Sequence, residues 1–96
     1  MGDLERPDIY VLSRVLDRLW KENGPMLRTR LQVATNVSYD NLIRYLDWMQ
    51  VRGLVVLNEG NDGHQTVMLT HKGNDAYRTV VLWINEMVCE QTRKKR

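Results

Sequence analysis

The sequence predicts a small α+β domain, mainly α, in which three helices lead into a two-stranded hairpin and a long helix closes the chain. Three observations predict it. Apolar residues recur with the helical period over residues 8–23, 38–52 and about 70–90. Between the last two of these segments the pattern switches to short β-branched runs around a glycine-bearing turn cluster. At 96 residues, with 43% hydrophobic and 27% charged, the chain matches one globular domain and excludes low-complexity disorder.

Pro7 suits the first turn of the opening helix, where Ile9, Leu12, Leu16, Leu19 and Trp20 form a stripe widened by Val11 and Val15. Asn23-Gly24-Pro25 ends it, with glycine expected to take the left-handed position. Leu27, Leu31, Val33 and Ala34 then predict a helix of about two turns, starting near Arg28 or Thr29 and breaking at Asn36-Val37. Ser38 is the expected N-cap of a third helix running to Arg52, with Gly53 as its C′ residue. On a helical wheel Tyr39, Leu42, Ile43, Leu46 and Met49 share its buried arc, and Asp40, Asn41, Arg44, Asp47 and Trp48 fall outside.

Leu54-Val55-Val56-Leu57 and Gln65-Thr66-Val67-Met68-Leu69 are the two strands, joined through Asn58–Gly63. A hairpin this small needs helices to lie on. Thr70 is placed to cap the closing helix. There Ala76, Tyr77, Val80, Val81, Trp83, Ile84, Met87 and Val88 cover an arc of roughly 160°, against the stripe of about 100° that attachment to a core requires. The excess predicts a second contact surface, a homodimer interface of Tyr77, Val80, Val81, Trp83, Ile84, Met87 and Val88. Residues 1–90 are expected to form the domain and 91–96 a basic tail.

The apolar run Val80–Ile84 is the longest, far short of a membrane span, and no basic n-region with an apolar h-region opens the sequence, so no signal peptide is expected. Cys89 is the only cysteine, which excludes an internal disulfide and fits a reducing, cytoplasmic setting. His64 and His71, with Asp62 nearby, lack a third well-spaced ligand, so no metal is expected. A glycine-rich phosphate loop, a G-x-S-x-G elbow and a carboxylate pair in a defined pocket are all missing, so the expectation is no enzyme, no cofactor and no small-molecule substrate. The formal charge of +2 is modest, but its distribution is uneven. Residues 26–56 carry +2 and residues 71–96 carry +3, the latter ending in the basic run Arg93–Arg96, whereas residues 57–70, with Glu59 and Asp62 at the hairpin tip, carry −2.

The element order and several short motifs resemble the winged helix-turn-helix family. Arg28-Thr29-Arg30-Leu31 resembles the start of the motif's first helix, and Asn36-Val37-Ser38-Tyr39 its turn into the recognition helix. Tyr45-Leu46 and Arg52-Gly53-Leu54-Val55 resemble the exit into the wing, and Leu69-Thr70-His71-Lys72-Gly73 the step from wing to last helix. Among winged helices the order is similar to small archaeal DNA-binding proteins whose last helix pairs in an antiparallel coiled-coil dimer. The resemblance implies a homodimeric transcriptional regulator or chromatin-type protein, nucleoid-associated, with double-stranded DNA as its partner, helix 38–52 in the major groove and the hairpin wing near a flanking minor groove or phosphate.

Under that implication Asn41 suits adenine and Arg44 suits guanine, since each can make two coplanar hydrogen bonds to those base edges. Arg28, Arg30, Ser38 and the basic tail Arg93–Arg96 are expected at phosphates. Tyr39 and Tyr45 are expected in the core or at its boundary, with hydroxyls able to reach phosphate. The same residues also fit a plain solvated face, with an Asp40–Arg44 ion pair across one turn. Trp48, outside the buried arc, is expected to pack under the hairpin or a helix. The alternative function is a protein-interaction module that has lost DNA binding and uses Trp48 or the Trp83 face for a partner, motivated by the acidic tip and the weak net charge. RNA binding has no aromatic-bearing sheet to support it.

Overall fold

The computed structural model describes residues 7–93, with side chains through Met87. The elements run α1 (Ile9–Glu22), β1 (Met26–Leu27), α2 (Arg28–Thr35), α3 (Tyr39–Val51), β2 (Val55–Glu59), β3 (Gln65–Leu69) and α4 (His71–Arg93).

Asp8 rather than Pro7 begins α1: its carboxylate accepts from the amides of Tyr10 and Val11. Asn23, not Gly24, takes the left-handed position at the other end, at φ 54°. Asparagine tolerates that region, so the helix stops one residue earlier than a glycine cap implies. Leu12, Val15, Leu16 and Leu19 form its buried face.

Asn36 repeats the device at the end of α2, at φ 57°. The Gln32 side-chain amide donates to Val37 O at 3.0 Å, closing the turn into α3. Inside α2 the buried pair is Leu31 and Thr35, whose hydroxyl returns to Leu31 O at 2.8 Å. Val33, expected in the stripe, stands exposed. A two-turn helix fastened by only one face has little room to bury more.

Ser38 caps α3, its Oγ accepting from Asn41 N at 3.3 Å, and Gly53 follows at φ 76°. The buried arc is Leu42, Tyr45, Leu46 and Met49, rotated from the expected one: Tyr45 replaces Tyr39, and Ile43 is half-buried. Trp48 packs against the core from the edge of this arc.

The sheet has three strands rather than two. β1 pairs antiparallel with β3 through Met26↔Val67 and Leu27↔Thr66, giving the order β1-β3-β2. Two residues before a helix carry no period to be read, yet they bury Met26 and make β3 the central strand. β2 starts one residue later than expected and runs to Glu59.

Thr70 Oγ1 accepts from Gly73 N at 3.0 Å as the cap of α4 and donates to Gly53 O at 2.6 Å, with Leu54 O at 3.1 Å. This hydroxyl therefore joins the end of α3 to the start of α4. Gly73 is buried, and a Cβ there would collide with the Leu54 carbonyl oxygen and Leu69 Cδ2. Glycine is required for that approach rather than for any unusual φ. Farther along α4, Tyr77 stacks on Trp20 of α1, ring centroids 4.6 Å apart and planes within 7°.

Tyr77 and Val81 are buried and Ala76 and Val80 pack on the core, after which burial ends: from Leu82 to Met87 only Ile84 is half-covered. Twenty-three helical residues span about 34 Å, so the second half of α4 projects from the domain, and the molecule measures 54 × 30 × 24 Å. Among the described residues no helix is long and apolar enough to cross a membrane.

Candidate nucleic-acid interface

The α2–turn–α3 unit presents one exposed face. The helix start is left with unpaired amides, and Asp40 in the first turn of α3 complements that positive end, which accounts for one carboxylate structurally. Beyond it Asn41, Arg44 and Asp47 are all exposed. The expected Asp40–Arg44 ion pair does not form. Ion pairs among the described residues are Arg18–Glu22, Asp17–Lys21 and Glu22–Arg30, which leaves the Arg44 guanidinium outside any of them.

At the N-terminal edge of α3, Arg28 lies over the ring of Tyr39, 5.5 Å from its centroid. With Ser38 beside Tyr39, three of the expected contact residues converge there. Arg30 turns the other way, holding Glu22 of α1 at 3.2 Å, so its charge is already partnered at a surface pair.

Tyr45 is corrected from the contact set: it is 6% exposed, and its hydroxyl accepts from Asp8 N at 2.8 Å. The ring packs in the core and the hydroxyl satisfies an amide at the start of α1. Tyr77 and Val81 are likewise corrected from the dimer surface to the chain's own core, with Val80 packed beside them. Trp83 is 55% exposed, Leu82 49% and Met87 46%. Leu82 joins this outer surface although it lay off the predicted arc. Val88 and the basic residues 93–96 lie outside the described side chains, and Cys89 with them.

The hairpin tip is acidic for a local reason as well: Asp62 Oδ1 accepts from His64 N at 3.1 Å, shaping the turn, and Gly63 follows at φ 84°. His64 and His71 are both exposed. Among the described residues no three His, Cys, Asp or Glu side chains gather as a metal site.

Sequence reasoning missed Arg52 and Lys72. Arg52 folds back over Trp48, its guanidinium carbon 4.1 Å from the ring centroid, and Nη1 donates to Trp48 O at 3.4 Å. Lys72 Cδ lies 3.9 Å from where a Cβ on Gly53 would stand. The four-residue spacing of Trp48 and Arg52 is the signal that points to the first; nothing local in the sequence brings Lys72 to Gly53.

Helix, turn, helix, paired strands and a long closing helix, with an exposed polar face on the helix after the turn, define a winged helix. The Winged helix-turn-helix family profile matches residues 6–87, and the chain belongs to that family. Solved structures agree on the fold. F93 from STIV, described as a winged-helix DNA-binding protein, superposes with TM-score 0.79 at 18% identity, covering 88% of this chain and 97% of that one. Sso10a-2, a DNA-binding protein from Sulfolobus solfataricus, gives 0.74 at 19% identity over 94% and 90%. A MarR-family transcriptional regulator from Silicibacter pomeroyi gives 0.74 at 23% identity, covering 86% of this chain but only 55% of its own length. No curated protein sequence matches the chain.

Proposed function

We propose that this protein binds double-stranded DNA as a homodimer and acts as a transcriptional regulator or chromatin-type protein of the cytoplasm. The observation that carries the reading is Arg44: an exposed guanidinium, in no ion pair among the described residues, on the helix that follows the turn. Arg44 and Asn41 meet base edges in the major groove. Arg28, Ser38 and Tyr39 hold the backbone at the N-terminal edge of α3, and Arg30 contributes only when it leaves Glu22. DNA binding named for F93 and Sso10a-2 supports this assignment by likeness of fold.

Dimerisation rests on the projecting half of α4, where Leu82, Trp83 and Met87 form an apolar surface with Ile84 half-covered beside them. Doubling the DNA-facing surface gives a chain of formal charge +2 useful affinity at physiological salt. Fluorescence anisotropy with duplex DNA across a salt series tests the function. Binding at low salt that weakens linearly in log salt is expected, and Arg44→Ala should cost about 1–3 kcal/mol of sequence preference. Absence of binding at low salt, or an unchanged Arg44→Ala profile, counts against it.

A second reading, a protein-interaction module, is favoured by Asp40 and Asp47 flanking Arg44 on α3 and by Glu59 and Asp62 at the hairpin tip. A partner retained after nuclease treatment and lost in Trp48→Ala supports that alternative.

A further inference from the structure

The charges of the hairpin are segregated. Its tip exposes Glu59 and Asp62, while its base, where α3 ends and α4 begins, exposes Arg52, His71 and Lys72. Arg52 and Lys72 take part in none of the ion pairs formed among the described residues.

Arg52 is also held in place. Stacking on Trp48 at 4.1 Å and the Nη1 bond to Trp48 O restrict a side chain that would otherwise sample many rotamers. Its remaining N–H groups are free to meet an anion, and a planar guanidinium suits phosphate oxygens. Lys72 lies against Gly53, the residue after Arg52, because the Thr70–Gly53 hydrogen bond brings α4 to that point.

Length connects this cluster to DNA. The thirteen residues of α3 span about 20 Å, whereas the major groove is about 12 Å wide. A helix crossing the groove therefore brings its two ends over opposite phosphate strands. Arg28 stands at the first end; Arg52 and Lys72 stand at the second.

We propose that Arg52 and Lys72 form a second phosphate clamp, so that this chain grips the duplex by the base of its hairpin while the acidic tip stays off the backbone. The proposal rests on the duplex-binding reading above. Asn41 and Arg44 lie between the two clamps, which fix how deep α3 sits in the groove.

The test uses the full chain and a fluorescent random-sequence duplex, with affinity measured across a salt series. Removing one phosphate-bound cation should lower the slope of log affinity against log salt by about 0.9, so Arg52→Gln and Lys72→Ala each shift it by that amount per subunit and the pair by twice as much. Preference among sequences should not change, since phosphates are uniform across them. Arg52→Lys should keep the slope, because it retains the charge. Lys72 is exposed, so Lys72→Ala reads the clamp even if Arg52→Gln loosens Trp48. A parent protein that binds while both variants, folded by circular dichroism, keep its slope overturns the clamp alone. A parent that fails to bind at low salt overturns the clamp and the duplex reading together.

Discussion

The two halves of α4 carry similar apolar sequences and opposite environments. From Gly73 to Val81 the helix is bound to its own domain, through the Leu54 carbonyl, the Trp20–Tyr77 stack and the core. From Leu82 onward, Trp83 and Met87 face outward. One over-wide stripe thus divides along its length rather than around its circumference. The lesson is that a helical wheel compresses out the axis, and the axis is where the domain stops supplying partners.

The most forceful way to break the contrast is Gly73→Ala. The new methyl meets a backbone carbonyl that cannot move without disturbing the end of α3, and a loss of about 4 kcal/mol is expected in chemical denaturation. Tyr77→Ala comes next, removing a buried ring and its stack on Trp20 for about 3 kcal/mol. Val81→Ala, at the last buried position, should cost about 2 kcal/mol. Two residues further, Trp83→Glu should alter the stability of the isolated subunit by less than about 0.5 kcal/mol while preventing the proposed dimerisation in light scattering. A large fall in subunit stability from Trp83→Glu would erase the boundary drawn at Val81.

Much of the fold was legible because its signals are local. Ser38, Thr70 and Gly53 occupy the capping positions their chemistry predicts, and β3 has the bounds its alternation gave. What escaped depends on distant partners. Strand β1 exists because Val67 and Thr66 receive it, and the necessity of Gly73 is visible only once Leu54 is folded against it. The site divided in the same way. Arg44 and Asn41 were legible as an exposed face, whereas Arg30 was claimed by a glutamate on another helix and Tyr45 by an amide thirty-seven residues away. Periodicity shows which side chains share a side, and not what waits on that side.

The Thr70 joint has a mechanical consequence. One hydroxyl ties the residues just after α3 to the first turn of α4, so the joint between the two helices is an elbow whose angle is fixed by short-range contacts. A tilt of about 5° at that elbow would displace the far end of an arm about 34 Å long by about 3 Å. Two subunits joined at their arms would therefore inherit the distance between their α3 helices from this anchorage, in which Thr70 acts together with the Gly73 approach and the Trp20–Tyr77 stack.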